Sequence, residues 1–108
     1  MSGRLPSGVL VSALLRRVND AGGSAAVLAK GDPHGGAILV ITALRGEDQR
    51  LFERGIGPNG QVALIESTPA KDLDGYCQRR RARDPDLWLI ELDVASAQQF
   101  AAETILFD

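Results

Sequence analysis

Apolar residues recur at helical spacing from Ser7 to Ala21. Leu10, Val11, Leu14, Leu15, Val18 and Ala21 share one face, while Arg16, Arg17, Asn19 and Asp20 fall elsewhere. The spacing predicts an amphipathic helix with Ser7 as N-cap and Gly22-Gly23 as its stop. Beyond it the period changes. Ser24 to Lys30 and Ala37 to Leu44 are continuous apolar runs rich in Val and Ile, which suits strands buried on at least one side. Between them, Gly31-Asp32-Pro33-His34-Gly35-Gly36 carries turn chemistry, so the two runs are expected to pair as a hairpin.

Gln49 to Arg54 reads as a half-solvated strand, with Arg50, Phe52 and Arg54 on one face and Leu51 and Glu53 on the other. Asn59-Gly60 is a strong hairpin signal, and Val62 to Glu66 follows as a fourth strand. Thr68-Pro69 has the order of an N-cap and first helical residue. A second helix is therefore expected there, with Asp72 and Asp74 early, four arginines late, and Leu73, Tyr76 and Cys77 as its buried stripe. Asp84-Pro85 ends it. Leu87 to Val94 is a fifth strand, in which Leu87, Leu89 and Glu91 alternate with Trp88, Ile90 and Leu92. Ser96 and Gln99 have capping-box spacing, so Ala97 to Glu103 reads as a short helix around Phe100, and Thr104 to Phe107 as an edge strand or a frayed end.

These elements assemble into an expected α+β fold: an N-terminal helix, a four-stranded antiparallel meander, a second helix and a returning fifth strand, with the helices packed on one face of the sheet. Length and composition fit one domain over residues 1–108, with 44% apolar and 24% charged residues and a peripheral tail at 95–108. No apolar run reaches the roughly 20 residues that span a bilayer, and no apolar leader opens the chain. A cytoplasmic location without membrane contact is the expectation.

Three segments together resemble a known family: Val11-Ser-Ala-Leu-Leu-Arg-Arg-Val18, Gly22-Gly-Ser-Ala-Ala-Val-Leu-Ala-Lys-Gly-Asp-Pro33, and Arg83-Asp-Pro-Asp-Leu-Trp-Leu-Ile-Glu91. They look like the alphaproteobacterial family catalogued as domain of unknown function 1491. The resemblance covers about residue 9 to about residue 93, and the Asp-Pro-Asp-Leu-Trp segment carries most of its specificity. It implies a small bacterial cytosolic α+β protein, and brings no activity, cofactor or catalytic residue with it.

Candidate chemistry is sparse. Cys77 is the sole cysteine and His34 the sole histidine, which rules out an intrachain disulfide and a zinc site of several Cys and His ligands. No metal or cofactor is expected. The glycine-rich run Arg54 to Gly60 superficially resembles a pyrophosphate loop, but a strand follows it where such a loop opens a helix. Asp32 and His34 share a loop and could support acid-base chemistry, although no nucleophile is placed beside them. Cys77, on the apolar stripe, reads as a buried and inert thiol.

Net charge is −2, with no basic residue after Arg83, so general nucleic-acid binding is disfavoured. Arg79, Arg80, Arg81 and Arg83 are the strongest binding candidates, since guanidinium forks suit phosphate and carboxylate. The same residues also stabilise a helix C-terminus. Trp88 either packs against a helix or, if Leu87 and Leu89 hold the core face, lies exposed as a partner-binding residue beside the arginines. The expected function is a non-enzymatic binding or protein-interaction module. Its partner would be an acidic protein or anionic ligand at the arginine cluster, a homodimer across a sheet edge is a further expectation, and the alternative is nucleotide or RNA binding through the same arginines.

Overall fold

The computed structural model describes residues 5–106. In chain order they form α1 (Ser7–Asp20), β1 (Ser24–Ala29), β2 (Ile38–Leu44), β3 (Glu47–Ile56), β4 (Val62–Glu66), α2 (Leu73–Arg83), β5 (Trp88–Asp93) and α3 (Ala97–Ile105). The α+β class is as the pattern predicts. Phe107, in the expected edge strand or frayed end, lies outside the described residues.

The sheet order is β1-β5-β2-β3-β4, which corrects the expected meander. β2 to β4 follow one another antiparallel, but β5 enters between β1 and β2, antiparallel to the first and parallel to the second. The reason is burial. Ile38 through Ala43 are all buried, so β2 needs a neighbour on each side and cover on each face. β5 supplies Trp88, Ile90 and Leu92 in register with Ile38, Val40 and Thr42, whereas the small side chains of β1 leave it at the edge. The loop from Gly31 to Ala37 is long enough to step across the start of β5. It is pinned there by Asp32 N donating to Asp86 O at 3.0 Å and Trp88 N donating to Ala37 O at 2.8 Å. Gly31 and Gly36 lie so close to the Asp86 carbonyl that neither has room for a Cβ.

The helices take both faces of the sheet, which corrects the expectation of one. Leu10, Val11, Leu14 and Val18 of α1 and Ala97, Ala101 and Ile105 of α3 bury Ile38, Val40, Trp88, Ile90 and Leu92. On the opposite face Leu39, Ile41, Leu51 and Leu87 require their own cover, and α2 provides it with Cys77, flanked by Leu73 and Tyr76. α3 is longer than predicted and belongs to the core, so the tail is not peripheral over residues 97–106.

Helix starts also differ from the caps predicted. Ser7 is the first residue of α1, and its buried hydroxyl donates to Gly36 O, tying the helix to the crossing loop. Thr68 accepts from Leu51 N and donates to Glu66, which ties Thr68 to β3 and β4 rather than to a helix start. α2 therefore begins one turn later, with Asp72 accepting from Gly75 N at 3.1 Å. Ser96 precedes α3 in a left-handed conformation and makes no side-chain cap. The Asn59-Gly60 turn forms as predicted, with Gly60 at φ +80. Among the described residues no helix is long and apolar enough to cross a membrane.

Candidate functional site

The arginines lie at the end of α2, where the helix stops beside the junction of β1 and β5, and they divide in two. Arg80 turns toward the sheet, and its Nη1 and Nη2 donate to Glu53 Oε2 and Oε1 at 2.8 Å each. This bidentate pair holds the Glu53 carboxyl below its ordinary range, against the opposing effect of burial, and raises the Arg80 guanidinium. Arg81 is engaged by backbone: its Nε donates to Leu87 O at 3.0 Å and its Nη2 to Lys30 O at 3.2 Å and Pro85 O at 3.4 Å. Arg79 is exposed, with Asp72 at a loose 3.9 Å. Arg83 is exposed and makes no ion pair among the described residues. Asp84 accepts from Asp86 N in a local turn and makes no ion pair with these arginines among the described residues. Of these four, Arg79 and Arg83 thus present open guanidinium groups.

Trp88 is 4% exposed, and its indole Nε1 donates to Asp32 O at 2.7 Å. It packs with α1 and α3 on the face away from α2, so it is not beside the arginines as a surface residue. In the crossing loop Asp32 Oδ2 accepts from Gly35 N at 2.8 Å, while His34 is exposed and contributes its carbonyl to Ser7 N. No hydrogen bond or ion pair joins the Asp32 carboxylate to the His34 ring among the described residues.

What the sequence did not reveal is an open flank between β1 and α2. Leu28, Ala29 and Leu89 on the sheet and Asp74, Cys77, Gln78, Arg81 and Ala82 on the helix line a cavity of about 500 Å³. Its floor is apolar, and Asp74, Gln78 and Arg81 form a polar rim. Cys77 at its base is 2% exposed, and desolvation, with Asp74 adding to it, pushes the thiol up from its ordinary pKa. Leu28, on the cavity lining, is 51% exposed, while Val27, 41% exposed, pairs with Ile90 and so lies on the opposite face of the sheet. The strand pattern is interrupted between Val27 and Ala29, where a bulge leaves Leu28 without a partner on β5. The available signal was the absence of charge in Ser24-Ala-Ala-Val-Leu-Ala29, unusual for an edge; it carries meaning only once β5 is known to displace β2 from β1.

The family model described as "Protein of unknown function (DUF1491)" matches residues 5–102. The chain is similar to a DUF1491 family protein from Caulobacter crescentus CB15 in its crystal structure, at 35% identity and a TM-score of 0.74, over 90% of this chain and 94% of that one. An NMR structure of a DUF1491 family protein from the same organism gives 33% identity and a TM-score of 0.73, over 92% and 94%. The solution structure of a protein from A. tumefaciens gives 30% identity and a TM-score of 0.70, over 87% and 89%. No curated protein matches.

Proposed function

The chain belongs to the DUF1491 family, and from that premise we propose that it is a non-enzymatic protein-interaction module, working as one α+β domain in the cytoplasm. The observation that carries this reading is the open flank, where a cavity with an apolar floor and a polar rim has Leu28 exposed on its β1 side. An exposed leucine beside a cavity with an apolar floor fits a protein partner better than solvent. The engagement of the Asp32 carboxylate within its own turn supports a binding role over acid-base chemistry in that loop. Binding of a nucleotide or RNA is the second reading, and the exposure of Arg79 and Arg83 favours it. It is weakened because Arg80 and Arg81 are engaged within the fold.

Capture from an extract of native cells tests both readings. The immobilised full chain is compared with Leu28→Asp and with the pair Arg79→Ala and Arg83→Ala; Arg80 and Arg81 stay in place, since their loss would disturb the fold. A protein retained by the wild type and by the arginine variant, but lost with Leu28→Asp, is the expected result. RNA lost only with the arginine variant puts the second reading in place of the first. Identical captures from all three chains would remove both.

A further inference from the structure

Building on the interaction-module reading, we propose that the partner is an extended polypeptide segment that adds as a sixth strand on the outer edge of β1 and seats one branched apolar side chain in the cavity beside α2. The ladder fixes which groups are available. Trp88 N donates to Ala37 O and Val94 N to Ala43 O, so the even-numbered residues of β5 turn their backbone groups toward β2. The odd-numbered residues Leu89, Glu91 and Asp93 then turn theirs toward β1, where Glu91 faces Ala26 and Asp93 faces Ser24. Ala26 and Ser24 are therefore engaged with β5, and the N–H and C=O groups of Ala25 and Val27 point outward. Among the described residues no further strand and no hydrogen bond engages either of them on that side.

Of the usual guards of an edge, the bulge at Leu28 is present but charge and proline are not. Ser24 to Ala29 contains no charge and no proline, and the first cation is Lys30. Two outward donor and acceptor pairs two residues apart, roughly 6.6–6.8 Å along the strand, match the repeat of another polypeptide backbone. A neighbouring strand also has alternate side chains on the α2 side, next to Leu28 and Ala29. One of them enters the cavity between Leu89 and Ala82, so that the backbone provides attachment and the cavity selects the side chain. A second copy of this chain fits less well. It would present the same bulge at Leu28, and an antiparallel pair of β1 strands would be regular only over Ser24 to Val27.

The test uses the full chain and a display library of random linear peptides. An enriched peptide is synthesised, and amide hydrogen exchange is followed on the wild-type protein with and without it. The expected result is new protection at Ala25 and Val27, with affinity lowered about tenfold or more by Ala25→Pro, which removes an outward N–H and leaves the β5 ladder intact. The exchange measurement does not depend on how well the proline variant folds. Peptides that bind but protect other amides, such as those near Arg79 and Arg83, overturn strand addition and leave the interaction-module reading standing. Protection of Ala25 and Val27 that grows with protein concentration in the absence of peptide assigns the edge to a second copy and overturns the proposal. A library that yields no enriched peptide counts against both.

Discussion

Arg80 and Glu53 join α2 to β3 through two parallel hydrogen bonds of 2.8 Å, and Arg80 Nη1 also donates to the Tyr76 hydroxyl at 3.0 Å. The guanidinium lies 5.7 Å from the Tyr76 ring centre, so its stem and its head both brace the helix. Arg81 secures the same end to the carbonyls of Lys30 and Leu87. A short helix of 11 residues with one fully buried side chain, Cys77, is thus located on the sheet by two arginines. Their placement also sets how far α2 stands from β1, and hence the opening of the cavity.

Removing one partner leaves the other half-buried and without its counter-charge. Arg80→Ala is expected to cost about 1.5–3 kcal/mol, the range of charge-assisted hydrogen bonds, measured by urea denaturation at pH 7. Glu53 adds a pH signature of definite sign. Its folded pKa lies below its unfolded one, so the stabilisation is complete above the unfolded value near 4.5 and is lost as pH falls through the folded value. Wild type should lose more stability than Glu53→Gln between neutral and acid pH. Parallel pH profiles for the two proteins would show that the pair contributes no linkage.

Much of this was legible in the chain. The periodicity of Leu10 to Val18, the Asn59-Gly60 turn and the apolar run of β2 each depend on neighbours in sequence, and each formed close to its predicted bounds. The misplacements share a cause in non-local pairing. Ser24 to Ala29 and Ile38 to Leu44 look like hairpin partners until Leu87 to Val94 competes for the same edge, and sequential strands are neighbours only about two-thirds of the time. Thr68-Pro69 has the residues of a helix start, but the Thr68 hydroxyl has a better acceptor and donor in Glu66 and Leu51 N. The arginines were recognised as a cluster. Which of them stay open depended on Glu53, Lys30 and Leu87, far away in sequence or beyond the helix, and spacing within the helix holds no record of those partners.

Trp88 offers a test of the crossing loop. Its indole reaches the Asp32 carbonyl at 2.7 Å across the Gly31 to Gly36 segment, and its ring is packed among α1 and α3. Trp88→Phe retains most of the apolar contact and loses the hydrogen bond. The expected destabilisation is about 1 kcal/mol from the bond with a further contribution from the smaller ring, read from circular dichroism during denaturation. Faster amide exchange at Gly35 and Gly36 should accompany it, because the loop loses one of its ties to β5. Unchanged exchange there would mean that the remaining ties, Asp32 N to Asp86 O and the Ser7 hydroxyl to Gly36 O among them, hold the loop without the indole.

Cys77 reports on whether α2 opens by itself. The thiol lies at the base of the cavity, packed with Leu39, Ile41, Leu51 and Leu87, and burial raises its pKa, so both access and thiolate fraction are low in the folded chain. Labelling by a thiol reagent at pH 8 should therefore be slow and should accelerate with denaturant. Global unfolding and undocking of α2 alone make different predictions for Arg80→Ala. If α2 lifts as a unit, losing the Glu53 bonds speeds labelling by about tenfold or more, as 1.4 kcal/mol in an opening equilibrium would, while exchange of the β2 and β5 amides changes less. If labelling and the slowest amides of β2 change by the same factor, Cys77 is reached only through complete unfolding. Rapid labelling of the untreated wild type would show instead that the cavity floor admits the reagent directly.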